Sequence, residues 1–227
     1  MLRYGSQIPR LGIGYQSFEG ITIVRPNSVD GARGRPVYTM YTSITRNLAT
    51  LEELQDVFNK YRKEWLESKT CCCLLEQIAG LSPEQTRGIT KIVGIGLGAL
   101  TNPERSEYPI SGIRAFVQHA AIQTIADALE EQNGGREVEC HAQDPENYQD
   151  VVVQFLETIG ITPLNDPKAF LEVDENTFVV SVFPNIPVRQ IICDIVRPRA
   201  MLWNIVKKGE YKEWRRELVD GELMWVS

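Results

Sequence analysis

The chain has 227 residues, 43% of them hydrophobic, and a formal net charge of -6. That length buries one sizeable core with an extension beside it, while the acidic balance excludes general binding to a phosphate backbone, which draws its affinity from clustered Lys and Arg. No charged segment leads into a long apolar block, and nowhere do about 18 apolar residues run uninterrupted, so the expectation is a soluble protein of the cytoplasm or nucleus with neither a membrane nor a nucleic-acid partner.

Residues 1–50 are rich in Gly, Pro and Arg and show no sustained apolar period. Residues 31–36 read as a loop and only 21–24 and 37–41 resemble short strands, so this part is expected as an arm or β-hairpin laid on the core. At Thr50 the character changes. Thr50 can cap a helix, Glu52 and Glu53 suit its first turn, and Leu51, Leu54, Val57, Phe58, Tyr61 and Trp65 recur at helical spacing as far as about Glu67. A second helix, 71–79, ends at Gly80, and Ser82-Pro83-Glu84 starts a short third one. Residues 51–90 thus form a helical extension.

From Lys91 onward short apolar runs alternate with helices. A strand at 92–95 is followed by an insertion and a helix over 113–131, whose Phe116, Ala120, Ile122, Ile125 and Leu129 make a stripe facing the core. A strand at 136–141, a helix at 147–159 stopped by Gly160, strands at 161–164 and 178–183, a helix at 188–196 and a last strand at 200–203 complete the series. Such alternation implies parallel strands joined by right-handed crossovers. The expected fold is α/β, a Rossmann-like, doubly wound, mostly parallel sheet of about five strands over 91–206. The remaining tail, 207–227, mixes both signs of charge and reads as a solvated helix or a segment that docks a partner.

In such a sheet ligands bind at the carboxyl ends of the strands, near the point where strand order reverses. Three segments are expected to converge there: Gly94, Gly96 and Gly98 after the first core strand, Gln143 and Asp144 after the second, and Ser181 to Asn185 after the fourth. Glycines let a backbone approach a phosphate or ribose closely, and an acid in the place of Asp144 accepts hydrogen bonds from ribose hydroxyls in nucleotide-binding folds. This suggests adenosylmethionine or another adenine-containing ligand. Two other readings stand beside it: the glycines serve a tight turn, and Asp144 caps the helix that starts near Asn147. A dinucleotide fingerprint would run straight into a helix, whereas here a proline-containing insertion intervenes.

No complete catalytic constellation is present. His119 lies on a helix, His141 at a strand end, and there is no nucleophile elbow, phosphate-loop lysine or His-Glu-x-x-His. Five cysteines, Cys71, Cys72, Cys73, Cys140 and Cys193, form no Cys-x-x-Cys pair, which fits reduced thiols and no metal site. On a helix the consecutive three fan out by about 100° per residue. They read as small buried or half-buried residues, with lipidation, redox sensing or a haem contact as the other uses.

The order Lys91-Ile-Val-Gly-Ile-Gly-Leu-Gly-Ala-Leu100, Gln118-His119-Ala120-Ala121, Ala142-Gln143-Asp144-Pro145, Asn176-Thr-Phe-Val-Val-Ser181 and Pro184-Asn185 resembles the sensitivity-to-red-light-reduced domain family in its fungal form, over about residues 38–204. The resemblance implies a regulatory protein, tied to light signalling, the circadian clock or haem metabolism, that acts through protein partners. Relatives often carry Met-Pro-His-Cys where this chain has Val182-Phe183-Pro184-Asn185, so the histidine and cysteine that would meet haem iron or a metal are missing. The alternatives are a transferase dependent on adenosylmethionine or a nucleotide, and a haem-responsive module.

Overall fold

The computed structural model describes residues 8–15, 37–44, 49–101, 110, 113–144, 148, 150–204, 215–219 and 222–226. The expected strand at 21–24, the loop at 31–36, most of the insertion before residue 113 and residues 207–214 of the tail lie outside these. Strand β1 (Ile8–Tyr15) pairs antiparallel with β2 (Val37–Ile44), Ile8 opposite Ile44 and Tyr15 opposite Val37. A strand near 37–41 was expected in an arm or hairpin; its partner β1 was not, because Pro9, Gly12 and Gly14 break its alternation.

Helix α1 (Leu51–Leu66) starts at a capping box in which the Thr50 hydroxyl accepts from the Glu53 amide and the Glu53 carboxylate accepts from the Thr50 amide. Ser68 caps α2 (Lys69–Ala79) through the Cys71 amide. A second capping box, Ser82 with Gln85, and Pro83 in the first turn fix the one-turn α3 (Pro83–Thr86). Three helices were expected here, marked by Thr50, Gly80 and Ser82-Pro83; the Ser68 cap, which starts α2 two residues earlier than expected, was not.

The core then runs β3 (Lys91–Ile95), α4 (Ile113–Gln132), β4 (Glu139–Gln143), α5 (Asp150–Thr158), β5 (Thr162–Pro163), α6 (Lys168–Glu172), β6 (Thr177–Val180), α7 (Val188–Ile195) and β7 (Ala200–Leu202). All five strands are parallel, in the order β5-β4-β3-β6-β7. The chain winds outward from β3 to β5, returns across β3, and winds out again through β6 and β7. Strand order therefore reverses between β3 and β6, the Rossmann-like doubly wound arrangement. The tail corrects the reading of a solvated helix at its end: Arg215 and Arg216 open β8 (Arg215–Val219), which pairs antiparallel with β9 (Glu222–Val226).

Two apolar layers sandwich the sheet. On one face Ile92, Ala142, Phe178 and Val180 pack under α4, α5, α1 and α2. On the other, Val93, Ile95 and Val179 meet Ala169 and Phe170 of α6 and Val188 and Ile192 of α7. Both faces of β3 and β6 are covered, which is why these strands read as continuous apolar runs instead of alternating ones. Helix α4 is buried on nearly all sides, since the sheet lies on one side of it and α1 and α2 on the other. Among the described residues no helix is long and apolar enough to cross a membrane.

Candidate functional site

The carboxyl ends of β3, β4 and β6 meet where strand order reverses, and each sequence-predicted residue can be placed there. At Gly94 the sheet and α4 approach closely: a Cβ on it would fall 2.6 Å from Ile122 Cδ1 and 2.7 Å from Leu97 Cδ1, both fully buried. Gly96 and Gly98 adopt φ of 69° and 89°, a left-handed backbone that is unstrained only for glycine. At Gly98 this turns the amide toward β4, where the Asp144 carboxylate accepts its hydrogen at 2.8 Å. Asp144, 7% exposed, thus holds the glycine loop against the end of β4.

Gln143 and Ser181 are equally committed to backbone. The Gln143 amide accepts from Ala169 N and donates to Asp166 Oδ1, each at 2.8 Å, and so fixes the start of α6 on the far face. Ser181 Oγ donates to the Ile95 carbonyl at 2.7 Å and ties β6 to β3 just where the two strands part. Asn185 lies exposed beyond them. The structure therefore brings Gly96, Gly98, Asp144 and Ser181 to one edge, while Gln143 faces away from α4.

Behind Asp144 lies a buried pair that the sequence did not join. His119 Nδ1 donates to the Ala115 carbonyl one turn earlier, which leaves Nε2 to accept from the Tyr148 hydroxyl; both contacts are 2.7 Å. Burial holds the His119 imidazole down at about 4 and, with the Asp144 carboxylate beside it, holds the Tyr148 phenol well above its ordinary range. Both rings are neutral at pH 7. Tyr148 and Asp144 also line a cavity of about 170 Å³ with Glu157, Leu164 and Asn165.

Three further groups stand on the β6 side. Phe183 has φ 54°, the one non-glycine residue with positive φ among the described residues, and is 67% exposed. Its amide donates to Asn204 Oδ1 at 2.6 Å, and the Arg114 guanidinium of α4 lies 6.0 Å from its ring centre. One turn beyond Arg114, Gln118 is nearly buried and its Oε1 has no hydrogen-bond partner. Sequence reasoning missed this group; the available signal was Arg114 and Gln118 at i and i+4, on one face of the first half of α4.

The cysteines are dispersed. Cys71 to Cys73 lie on α2, with Glu76 raising the Cys72 thiol, and burial pushes the Cys140 thiol on β4 up to about 12. His141 pairs with Glu139 at 3.3 Å. Among the described residues no cluster of His, Cys, Asp or Glu is set to hold a metal.

Asp144→Ala would leave the Gly98 amide without its acceptor. A buried hydrogen bond to a charged group contributes about 2 kcal/mol, so an equivalent loss in stability is expected by urea denaturation, with Asp144→Asn intermediate because its carbonyl still accepts. Equal losses in the two variants would show that the bond to Gly98 does not carry the effect.

The family model described as the SRR1 domain matches residues 50–218 of the 227. No curated protein and no solved structure matches the chain.

Proposed function

The chain belongs to the SRR1 domain family, and on that premise we propose that it is a non-catalytic regulatory protein of the cytoplasm or nucleus, which takes a small adenine-containing ligand at the carboxyl edge of β3 and β6 and reports occupancy to a protein partner. The observation that carries this reading is the state of the edge itself. It has the topology of a Rossmann ligand site, yet Asp144, Gln143 and Ser181 are engaged by the protein's own backbone. In the neighbouring hydroxyl–histidine pair, burial lowers the His119 imidazole to about 4 and its Nε2 is already taken by the Tyr148 hydroxyl, which makes it a weak base, far from the near-neutral value that suits general base catalysis. Exposed Phe183 and Ile113 at the same edge link a ligand there to a surface that a partner can touch.

A second reading, a transferase dependent on adenosylmethionine or a nucleotide, is favoured by the left-handed glycine pair after β3 with an acid after β4. A thermal-shift screen of the full chain against adenosylmethionine, adenosine, AMP and nicotinamide dinucleotides separates the two when chromatography follows each stabilising compound for turnover. A shift of several degrees without turnover supports the regulator, since a ligand bound only by the folded state raises stability by RT ln(1 + [L]/Kd). Turnover installs the transferase. A Soret band on haem titration would instead revive the haem-responsive alternative.

A further inference from the structure

The cavity beside Asp144 draws its walls from three places in the fold. Asp144 and Tyr148 form its buried side, Val153 and Glu157 come from α5, and Leu164 and Asn165 follow β5. The two buried polar groups are already committed, since Asp144 accepts from the Gly98 amide and the Tyr148 hydroxyl donates to His119. The two outer ones are not. Glu157 and Asn165 are exposed, and their side chains form no hydrogen bond or ion pair among the described residues. Glu157 is also badly placed for stability alone: it is the last residue but one of α5, where the carbonyl end of a helix disfavours an anion.

Size and chemistry together narrow what fits. The volume, about 170 Å³, is close to the roughly 150 Å³ that takes one benzene ring, so the cavity admits a single flat ring system and excludes a whole nucleotide. Val153 and Leu164 offer that ring apolar contact. A carboxylate only accepts hydrogen bonds, whereas a carboxamide donates and accepts side by side. The pair therefore matches a ring with an amino group next to a ring nitrogen. The carboxamide meets that edge in two bonds, as Asn does with adenine, and the carboxylate takes the second amino hydrogen. A carbonyl in place of the amino group would set lone pairs against the carboxylate.

We propose that this cavity takes the base of an adenine-containing ligand, with Asn165 and Glu157 recognising its amino edge. The assignment rests on the reading of the carboxyl edge as a ligand site and deepens it: recognition of the base falls to residues of α5 and the end of β5. Asp144 stands both in the cavity wall and on the glycine loop, so the rest of the ligand continues past it toward β3.

The test is calorimetric titration of the full chain with adenosine, inosine and putrescine, with thermal melting of each variant. Inosine carries a carbonyl where adenosine has its amino group, and putrescine is a dication without a ring. Adenosine is expected to bind at least about tenfold more tightly than either, the factor that one hydrogen bond to a charged group supplies. Glu157→Ala and Asn165→Ala should each weaken adenosine about tenfold and inosine little. Neither variant should melt below the parent, because both side chains are exposed and Glu157 opposes its own helix dipole. A merely structural role predicts the reverse, lower melting with unchanged affinity. Equal affinity for the two nucleosides, adenosine affinity indifferent to both variants, or putrescine binding more tightly than adenosine would overturn the assignment while leaving the ligand-site reading intact. If none of the three binds but another compound of the wider screen does, the assignment alone falls; if nothing binds at all, both fall.

Discussion

Phe58→Ala is expected to destabilise the protein by about 4 kcal/mol, the range for emptying a fully buried aromatic site. Phe58 is 2% exposed and meets the fully buried Phe155 of α5 edge to face, ring centres 5.4 Å apart. It belongs to the same apolar cluster as Phe116, Ile122 and Ile92, so truncation opens a void at the centre of the molecule instead of loosening an appendage. Two neighbours restrict collapse into that void: Trp65 is pinned by its indole N–H to Thr124 at 3.0 Å, and Tyr61 leans on Phe116 with ring centres 5.8 Å apart. For a chain of this size the loss corresponds to a melting temperature lower by on the order of 10 °C. Leu51→Ala, in the half-exposed first turn of the same helix, controls for helix propensity and should stay within about 0.5 kcal/mol. If Phe58→Ala were as mild as Leu51→Ala, α1 would not belong to the cooperative unit.

That integration of α1 and α2 with the sheet was only half visible in the sequence. Their existence was legible because Thr50, Ser82 and Pro83 are strong start signals and the apolar period after Thr50 is regular. What they cover was hidden in α4, where the five residues read as a stripe are all fully buried, but so are polar neighbours such as His119. A helix enclosed on both sides has no polar face to announce it. The sheet was legible for the complementary reason: β3 and β6 are apolar after their first residues, Lys91 and Thr177, and stop just before Gly96 and Ser181. Helix α6 was missed because five residues after Pro167 are too few to show a period. The strand pair at 215–226 was missed because Arg215, Arg216 and Glu217 resemble a solvated charge run.

At the site, the glycines and Asp144 were visible as residue types, but not their partners. Gly98 and Asp144 are 46 positions apart and Ser181 and Ile95 are 86, and half of each bond is a backbone atom, which carries no sequence signature. Phe183 escaped because a positive φ is a property of the backbone. Its aromatic side chain argues against that conformation, and such disagreement between local preference and fold is expected at functional sites.

The stability of the fold should also fall as pH drops from about 6.5 to about 4, by about 3 kcal/mol from His119 alone. The sign follows from its surroundings. Burial disfavours the imidazolium, only partly offset by the Ala115 carbonyl, and the folded value lies near 4 against about 6.5 in an unfolded chain. The unfolded state therefore takes up the proton first, so the stabilisation is fully present above pH 6.5 and is lost as the pH approaches 4, at 1.36 kcal/mol per pH unit. The group that faces the ring, Tyr148, is held neutral and cannot compensate. His119→Gln keeps an acceptor for the Tyr148 hydroxyl but cannot titrate. Denaturation curves across this pH window should show the variant less stable at pH 7, with the gap to the parent closing by about 3 kcal/mol at pH 4; the fall that remains in the variant belongs to carboxylates. Parallel curves would mean that His119 is protonated in the fold without penalty. His119 meets the Tyr148 hydroxyl, the Tyr148 amide donates to the Asp144 carbonyl at 3.1 Å and Asp144 holds Gly98, so protonation of His119 reaches the glycine loop through three contacts. Acid should therefore loosen the carboxyl edge of the sheet before it unfolds the rest.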